Sequence, residues 1–128
     1  MMKRTHIAIS VAVTIPFIIH NPIVIVGLLG SVAPDWDYKV GIKHRTITHS
    51  FLALVISSAV VSILNEPIVL VWSLNYALHL LADSMTVSGV PLFYPVKKTY
   101  GFRLIKTGGA EDYFIQLLAI AFIVFRYI

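Results

Sequence analysis

The chain has 128 residues, a size that suits one domain; 58% are hydrophobic and only 12% charged. Soluble domains carry about 25% charged residues, and a mean hydropathy of +0.86 leaves too little polar surface to coat a water-facing core, so lipid is the expected solvent. The net charge of +4 is scattered over short loops, which suits anionic headgroups and gives no base-reading face for a nucleic acid. With no cysteine, disulfides and thiolate metal sites are excluded, and any metal must be held by His, Asp or Glu.

In chain order, Met1-Met2-Lys3-Arg4 followed by an apolar run mimics a signal peptide. No small-x-small cleavage site follows, so a retained first helix is expected. Apolar run one covers Ile7 to Ile19 and run two Ile23 to Val32, separated by the turn signal His20-Asn21-Pro22. A helical hairpin keeps the flanking cations on one side, although each arm falls short of the roughly 20 residues of a full span. Run three covers Thr48 to Leu64, and Asn65-Glu66-Pro67 turns the chain into run four, which continues to about Met85. Ser88-Gly89-Val90-Pro91 then breaks the pattern, and Lys97 to Gly109 reads as a loop or short hairpin. Glu111-Asp112 opens run five, Tyr113 to Ile128, with acidic residues in the first turn. The sum is an all-α integral-membrane bundle of about five short helices in a single domain, residues 1–128.

One threading places Lys3, Arg4, Lys39, Lys43, Arg45, Lys97, Lys98, Arg103 and Lys106 on the cytoplasmic side of the inner membrane, with the amino terminus. Only Arg126 dissents, and a helix-end arginine can snorkel. The same threading carries His6, Asp35, Asp37, His44, His49, His79, Asp83 and Glu111 to the cytoplasmic mouth. Ionisable groups at membrane depth are costly and commonly functional. His79 and Asp83, four apart, share a helix face. Asp35-x-Asp37 can aim two carboxylates at one cation or at two neighbours. His44 belongs in the loop and His49 in the helix, because five residues would not align them on one straight helix.

Each residue also has a plainer reading. His6 alone is an interfacial helix residue, and Glu111 an N-terminal helix charge. His79 with Asp83 is a hydrogen-bonded helix pair, and Asp35 and Asp37 end a helix in a solvated loop. Arg45 is a phosphate clamp or an inside anchor. Thr46, Thr48 and Ser50 are caps or donors behind the ligands. His20 is structural, and Trp36, Trp72, Tyr76, Tyr94 and Tyr100 are interface or packing residues. Clustering is what favours a metal site: three imidazoles and three carboxylates suit Zn, Mn or Fe, and so many ligands make two ions plausible.

Pro34-Asp35-Trp36-Asp37, then His44-Arg45-Thr46-Ile47-Thr48-His49-Ser50, then His79-Leu80-Leu81-Ala82-Asp83 running on through Thr86, Gly89-Val90 and Pro95, resemble the YdjM-like family of predicted membrane-bound metal-dependent hydrolases. That family shows P-D-x-D, H-R-x-x-T-H-S and H-x-x-x-D-x-x-T-x-x-G-V-x-x-x-x-P in this order, with an early His and a late Glu that His6 and Glu111 resemble. The resemblance implies Asp35, Asp37, His44, His49, His79 and Asp83 as metal ligands. The chain departs from the family in being compact, with few residues between Asp37 and His44.

The expected activity is metal-dependent hydrolysis of a phosphate ester or phosphodiester of a lipid or membrane-proximal substrate, with Asp35 or Asp83 as base and Arg45 on the phosphate. The partners implied are membrane lipid and a divalent metal, with no nucleic acid; a homo-oligomer suits so small a bundle, though no residue specifies one. The alternative is a non-enzymatic membrane protein whose metal is structural or sensory. A metal transporter ranks last, because runs three and five offer only Ser57, Ser58, Ser62 and Gln116 along a path to the outer face.

Overall fold

A computed structural model describes residues 1–128. Four α-helices carry the chain: α1 (Lys3–His20), α2 (Phe51–Ser62), α3 (Glu66–Ser84) and α4 (Ala110–Tyr127). Three 3₁₀ segments, Pro22–Ser31, Ala33–Lys39 and Ile47–His49, fill the connection from α1 to α2. There is no sheet; isolated bridges Thr86 to Ile105 and Val90 to Tyr100 pin the chain between α3 and α4, and Lys97 to Gly109 forms a loop with no hairpin of its own.

The turns fall where proline and asparagine put them. α1 stops at His20; Asn21 is extended, its side chain accepts from the Ile23 amide at 3.4 Å, and Pro22 opens the next segment. Pro67 sits in the first turn of α3. Ser50 caps α2, its Oγ accepting from the Ala53 amide at 3.3 Å, so that helix starts three residues later than expected. His49 therefore lies in the turn before α2 and not on the helix.

Run two is the larger departure, since it forms a ten-residue 3₁₀ helix. At about 2.0 Å rise per residue instead of 1.5 Å, that form climbs about 20 Å in ten residues, which gives a short arm the reach to run back beside α1. It is also slim, and it presses on α3: a Cβ on Gly30 would stand 2.4 Å from the Trp72 carbonyl oxygen. Asn75 of α3 lies under this contact and donates to Thr14 Oγ1 at 3.0 Å and to the Val71 carbonyl at 3.0 Å.

α3 is the hub, packed against α1, α2 and the Pro22–Ser31 helix, while α4 leans on α1. The interior is polar and the exterior apolar. More polar and charged side chains are buried than apolar ones, and Val55, Val60, Ile63, Phe114, Leu117 and Phe125 are among the many exposed apolar residues. No side chain of α2 is buried, and in α4 only Asp112 is.

The all-α expectation holds. No helix is long and apolar enough to cross a membrane: α2 has only 12 residues, α1 begins with Lys3, Arg4 and His6, and α4 carries Glu111, Asp112 and Arg126.

Candidate metal centre

Each ligand candidate arrives from the end of an element. His6 stands in the first turn of α1, Asp35 and Asp37 follow the Pro22–Ser31 helix, His49 precedes α2, and His79 and Asp83 occupy the last turns of α3. Since these elements alternate in direction, their polar ends meet. His6, His49, His79, Asp35, Asp37 and Asp83 are all buried, and His44 is partly exposed.

Two groups of three form, His6 with His79 and Asp83, and Asp35 with His44 and His49. They touch. His49 Nε2 lies 3.4 Å from His79 Nε2. Asp35 Oδ1 is 3.5 Å from the first and 3.6 Å from the second, and Asp83 Oδ2 is 3.4 Å and 3.5 Å from the same two atoms. His6 Nε2 reaches the other oxygen of Asp83 at 3.2 Å, and its ring stacks on His79 with centroids 3.7 Å apart.

The imidazoles are oriented from behind. The Ser31 carbonyl, 2.7 Å from His79 Nδ1, can only accept, so the ring carries its proton there and turns the Nε2 lone pair inward. Thr48 donates to Asp37 Oδ2 at 3.0 Å, which leaves its oxygen free to accept from His49 Nδ1 at 3.1 Å. His44 Nδ1 donates to Asp37 at 3.0 Å. Asp37, expected to be a ligand, thus stands behind His44 and His49, on the side of their rings away from the other candidates, and belongs to neither group of three. The Tyr38 and Arg45 amides fill its remaining acceptor sites, at 2.8 and 3.3 Å.

Electrostatics follow from this packing. Burial alone would raise the Asp35 carboxyl, but the hydrogen bond from His49 and the charge of the nearby imidazoles outweigh it and hold it below the usual carboxylate range. Burial alone would lower the His49 imidazole, but Asp35 and Asp83 outweigh it and raise it above its ordinary value. The two shifts agree: without a metal, His49 and Asp35 each favour the charged form of the other.

A family model described as YdjM inner membrane protein matches residues 1–127. The chain belongs to that family. No curated protein and no solved structure matches it.

In this YdjM family member the donor set fits a divalent cation. Five of the distances among His49 Nε2, His79 Nε2, Asp35 Oδ1 and Asp83 Oδ2 measure 3.4–3.6 Å, so each carboxylate oxygen closes a near-equilateral triangle with the two imidazole nitrogens. The centre of a triangle of that edge is about 2.0 Å from each corner, the length of a zinc bond to nitrogen or oxygen. His6 Nδ1 is buried with no hydrogen-bond partner, a polar atom left over beside the cluster.

Glu111 and Arg45 complete the set of candidates. Glu111 is exposed and belongs to neither group; the buried acid of α4 is its neighbour Asp112, which accepts from Thr5 Oγ1 at 2.6 Å and from the Met2 and Gly108 amides at 2.9 Å. Arg45 is tethered within the site. Its Nη1 donates to Thr86 Oγ1 and to the Gly89 carbonyl, both at 3.0 Å, and its Nη2 lies 3.4 Å from Asp83 Oδ1. A left-handed backbone at Arg45, φ +57°, is held by these contacts and by its amide bond to Asp37. Gly89, also left-handed at φ +63°, has no room for a side chain, because a Cβ would meet the Tyr100 carbonyl oxygen at 2.7 Å. Sequence reasoning assigns no role to Ser31, and none to Thr86 and Gly89 beyond their place in the motif that follows Asp83. Two of them act through backbone carbonyls, for which residue type gives no signal.

Proposed function

We propose that the chain is an inner-membrane, metal-dependent hydrolase that acts on a phosphate ester or phosphodiester at headgroup depth. The observation that carries this reading is the near-regular spacing of two imidazole nitrogens and two carboxylate oxygens, with two of the rings oriented for ligation by Ser31 and Thr48. His49, His79, Asp35 and Asp83 would hold one cation, with His6 beside them. A divalent metal bound there acidifies water and offsets negative charge on the substrate.

The chain's own residues then divide the work. Asp35 meets the imidazoles most closely through Oδ1 and is ionised at neutral pH, so it is the carboxylate able to accept a proton. Asp83 is already engaged by His6, Arg45 and the Met1 ammonium. Arg45, its backbone and guanidinium both anchored, presents fixed positive charge to a phosphate oxygen.

The apolar exterior supports a bilayer setting. α1, the Pro22–Ser31 helix, α2, α3 and α4 would lie in the hydrocarbon as a group, with residues 33–50 at the cytoplasmic rim beside the basic loops. A second reading, a closed structural or sensory metal site, has one observation in its favour: the proposed ligands tie α1, the 33–39 segment, the 47–49 turn and α3 together and are almost wholly buried.

The test is metal content and turnover of purified protein on soluble and lipid phosphate esters. Stoichiometric metal and a turnover abolished in His79→Ala/Asp83→Ala are expected. Absence of metal, or wild-type turnover in that double variant, would sink the proposal; metal loss that unfolds the chain with no ester consumed would favour the second reading.

A further inference from the structure

Two cavities flank the centre, and their linings differ in kind. One, of about 570 Å³, is walled by Lys43, His44, Arg45, Tyr94, Lys97 and Thr99 among others, with no carboxylate in its lining. Arg45 is partly offset by Asp83, whereas Lys43 and Lys97 are exposed and make no ion pair, so the cavity carries uncompensated positive charge ringed by hydroxyls. The other, of about 380 Å³, is an apolar cleft walled by Trp36, Ile56, Trp72 and Tyr76, among others. It opens where Ile56 and Trp36 face outward. Both volumes fall within the roughly 300–1,000 Å³ of small-molecule sites. Ile47 lines both, and its neighbours in the chain lead into the centre, since Thr48 bonds Asp37 and His49.

We propose that these cavities form one two-part docking site for an anionic amphiphile from the membrane, its phosphate in the basic cavity and its hydrocarbon chain in the aromatic cleft, straddling Ile47. The choice of phosphate rests on the hydrolase reading above; the two-part shape does not. A compact, strongly hydrated anion calls for lysine charge and hydroxyl donors, which the first cavity supplies. A hydrocarbon chain calls for apolar and aromatic walls reached from the bilayer side, which the second supplies. A soluble phosphate ester would use only the first.

The chain holds two tryptophans, and both line the cleft. Trp36 is exposed and Trp72 is buried, so in a Trp36→Phe variant the remaining indole reports on the cleft and little on bulk lipid. In zwitterionic nanodiscs, 11-bromoundecyl phosphate is expected to quench Trp72 saturably. 11-Bromoundecanol should need at least about tenfold more, and Lys43→Ala/Lys97→Ala should raise half-saturation by about tenfold, the order of one lost charge-assisted contact. Inorganic phosphate should relieve quenching only at concentrations far above those of the amphiphile.

Equal quenching by alcohol and phosphate, no effect of the lysine pair, or an unquenched Trp72 would overturn the proposal. If Trp36→Phe fails to fold, the wild type with and without the lysine substitutions gives the same comparison over a constant background. Quenching without ester turnover would defeat the hydrolase and leave the docking site standing. Turnover of a soluble ester without quenching would do the reverse.

Discussion

Two buried carboxylates flank the first residues of the chain, Asp83 at the end of α3 and Asp112 at the start of α4. Both are almost fully shielded from water, yet their partners differ in kind. Asp112 is satisfied by two backbone amides and a hydroxyl, groups that hold their protons at any ordinary pH and cannot ligate a cation in its place. Asp83 faces three imidazoles, a guanidinium and an ammonium. Three of those partners can give up a proton and turn a lone pair to the same point. Burial and ionisation therefore do not mark a ligand carboxylate; the chemistry of what surrounds it does. By that criterion Asp112 is a clasp joining α4 to α1, and Asp83 belongs to a site.

The strongest way to break this comparison is to neutralise each in turn. Asp83→Asn keeps the shape and leaves His6, His49, His79 and Arg45 facing an amide. Metal affinity should fall by more than the about 10–100-fold that outer partners carry, with metal content and turnover both lost. Asp112→Ala should keep metal stoichiometry and lower stability by about 1–3 kcal/mol through the unpaired amides it leaves, read as a lower denaturation temperature in detergent. A variant of Asp112 that lost metal while remaining folded would erase the distinction.

Asp37 sharpens the comparison at an intermediate size. It orients rings and faces away from the proposed ion, so Asp37→Asn should weaken metal binding by about 10–100-fold without abolishing stoichiometry at saturating metal. Isothermal titration with Zn²⁺ or Mn²⁺ into metal-free protein measures it. A loss as large as that from Asp83→Asn would return Asp37 to the ligands.

Much of the site is legible in the sequence, because proline turns and alternating helix direction suffice to bring His6, Asp35, His49, His79 and Asp83 to one end. The assignment of roles is not legible. Asp35 and Asp37 are the same residue type two positions apart, and a 3₁₀ path, which nothing in Pro34-Asp35-Trp36-Asp37 specifies, turns one toward the imidazoles and the other behind them. Glu111 and Asp112 are adjacent, about 100° apart around a helix. Which of them faces inward depends on how α4 is rotated against α1, and that rotation is set by Thr5 and the Met2 amide, distant in the chain. Run two reads as an apolar helix of any pitch; what its residue types do fix is the close approach to α3 at Gly27 and Gly30.

The smallest expected effect is one of pH. In the metal-free protein Asp35 is depressed below 3.8 and His49 raised above 6.5. The Asp35 contribution is present above its unfolded value and lost as pH falls through the lower folded one. The His49 contribution is complete below 6.5 and lost as pH rises through the higher folded one. The His49 contribution therefore favours the metal-free fold in mildly acidic solution and fades on the alkaline side of His49. A cation reverses that limb, because it needs the unprotonated Nε2 and must displace the same proton. Its affinity should climb with pH across the interval in which the apo fold weakens, and the gap between apo and metal-loaded denaturation temperatures should widen from pH 6 toward pH 8. A gap that stayed constant would mean that His49 binds no metal. The Asp112 clasp has no such proton to surrender, so Asp112→Ala should lower both curves alike and leave the gap between them unchanged.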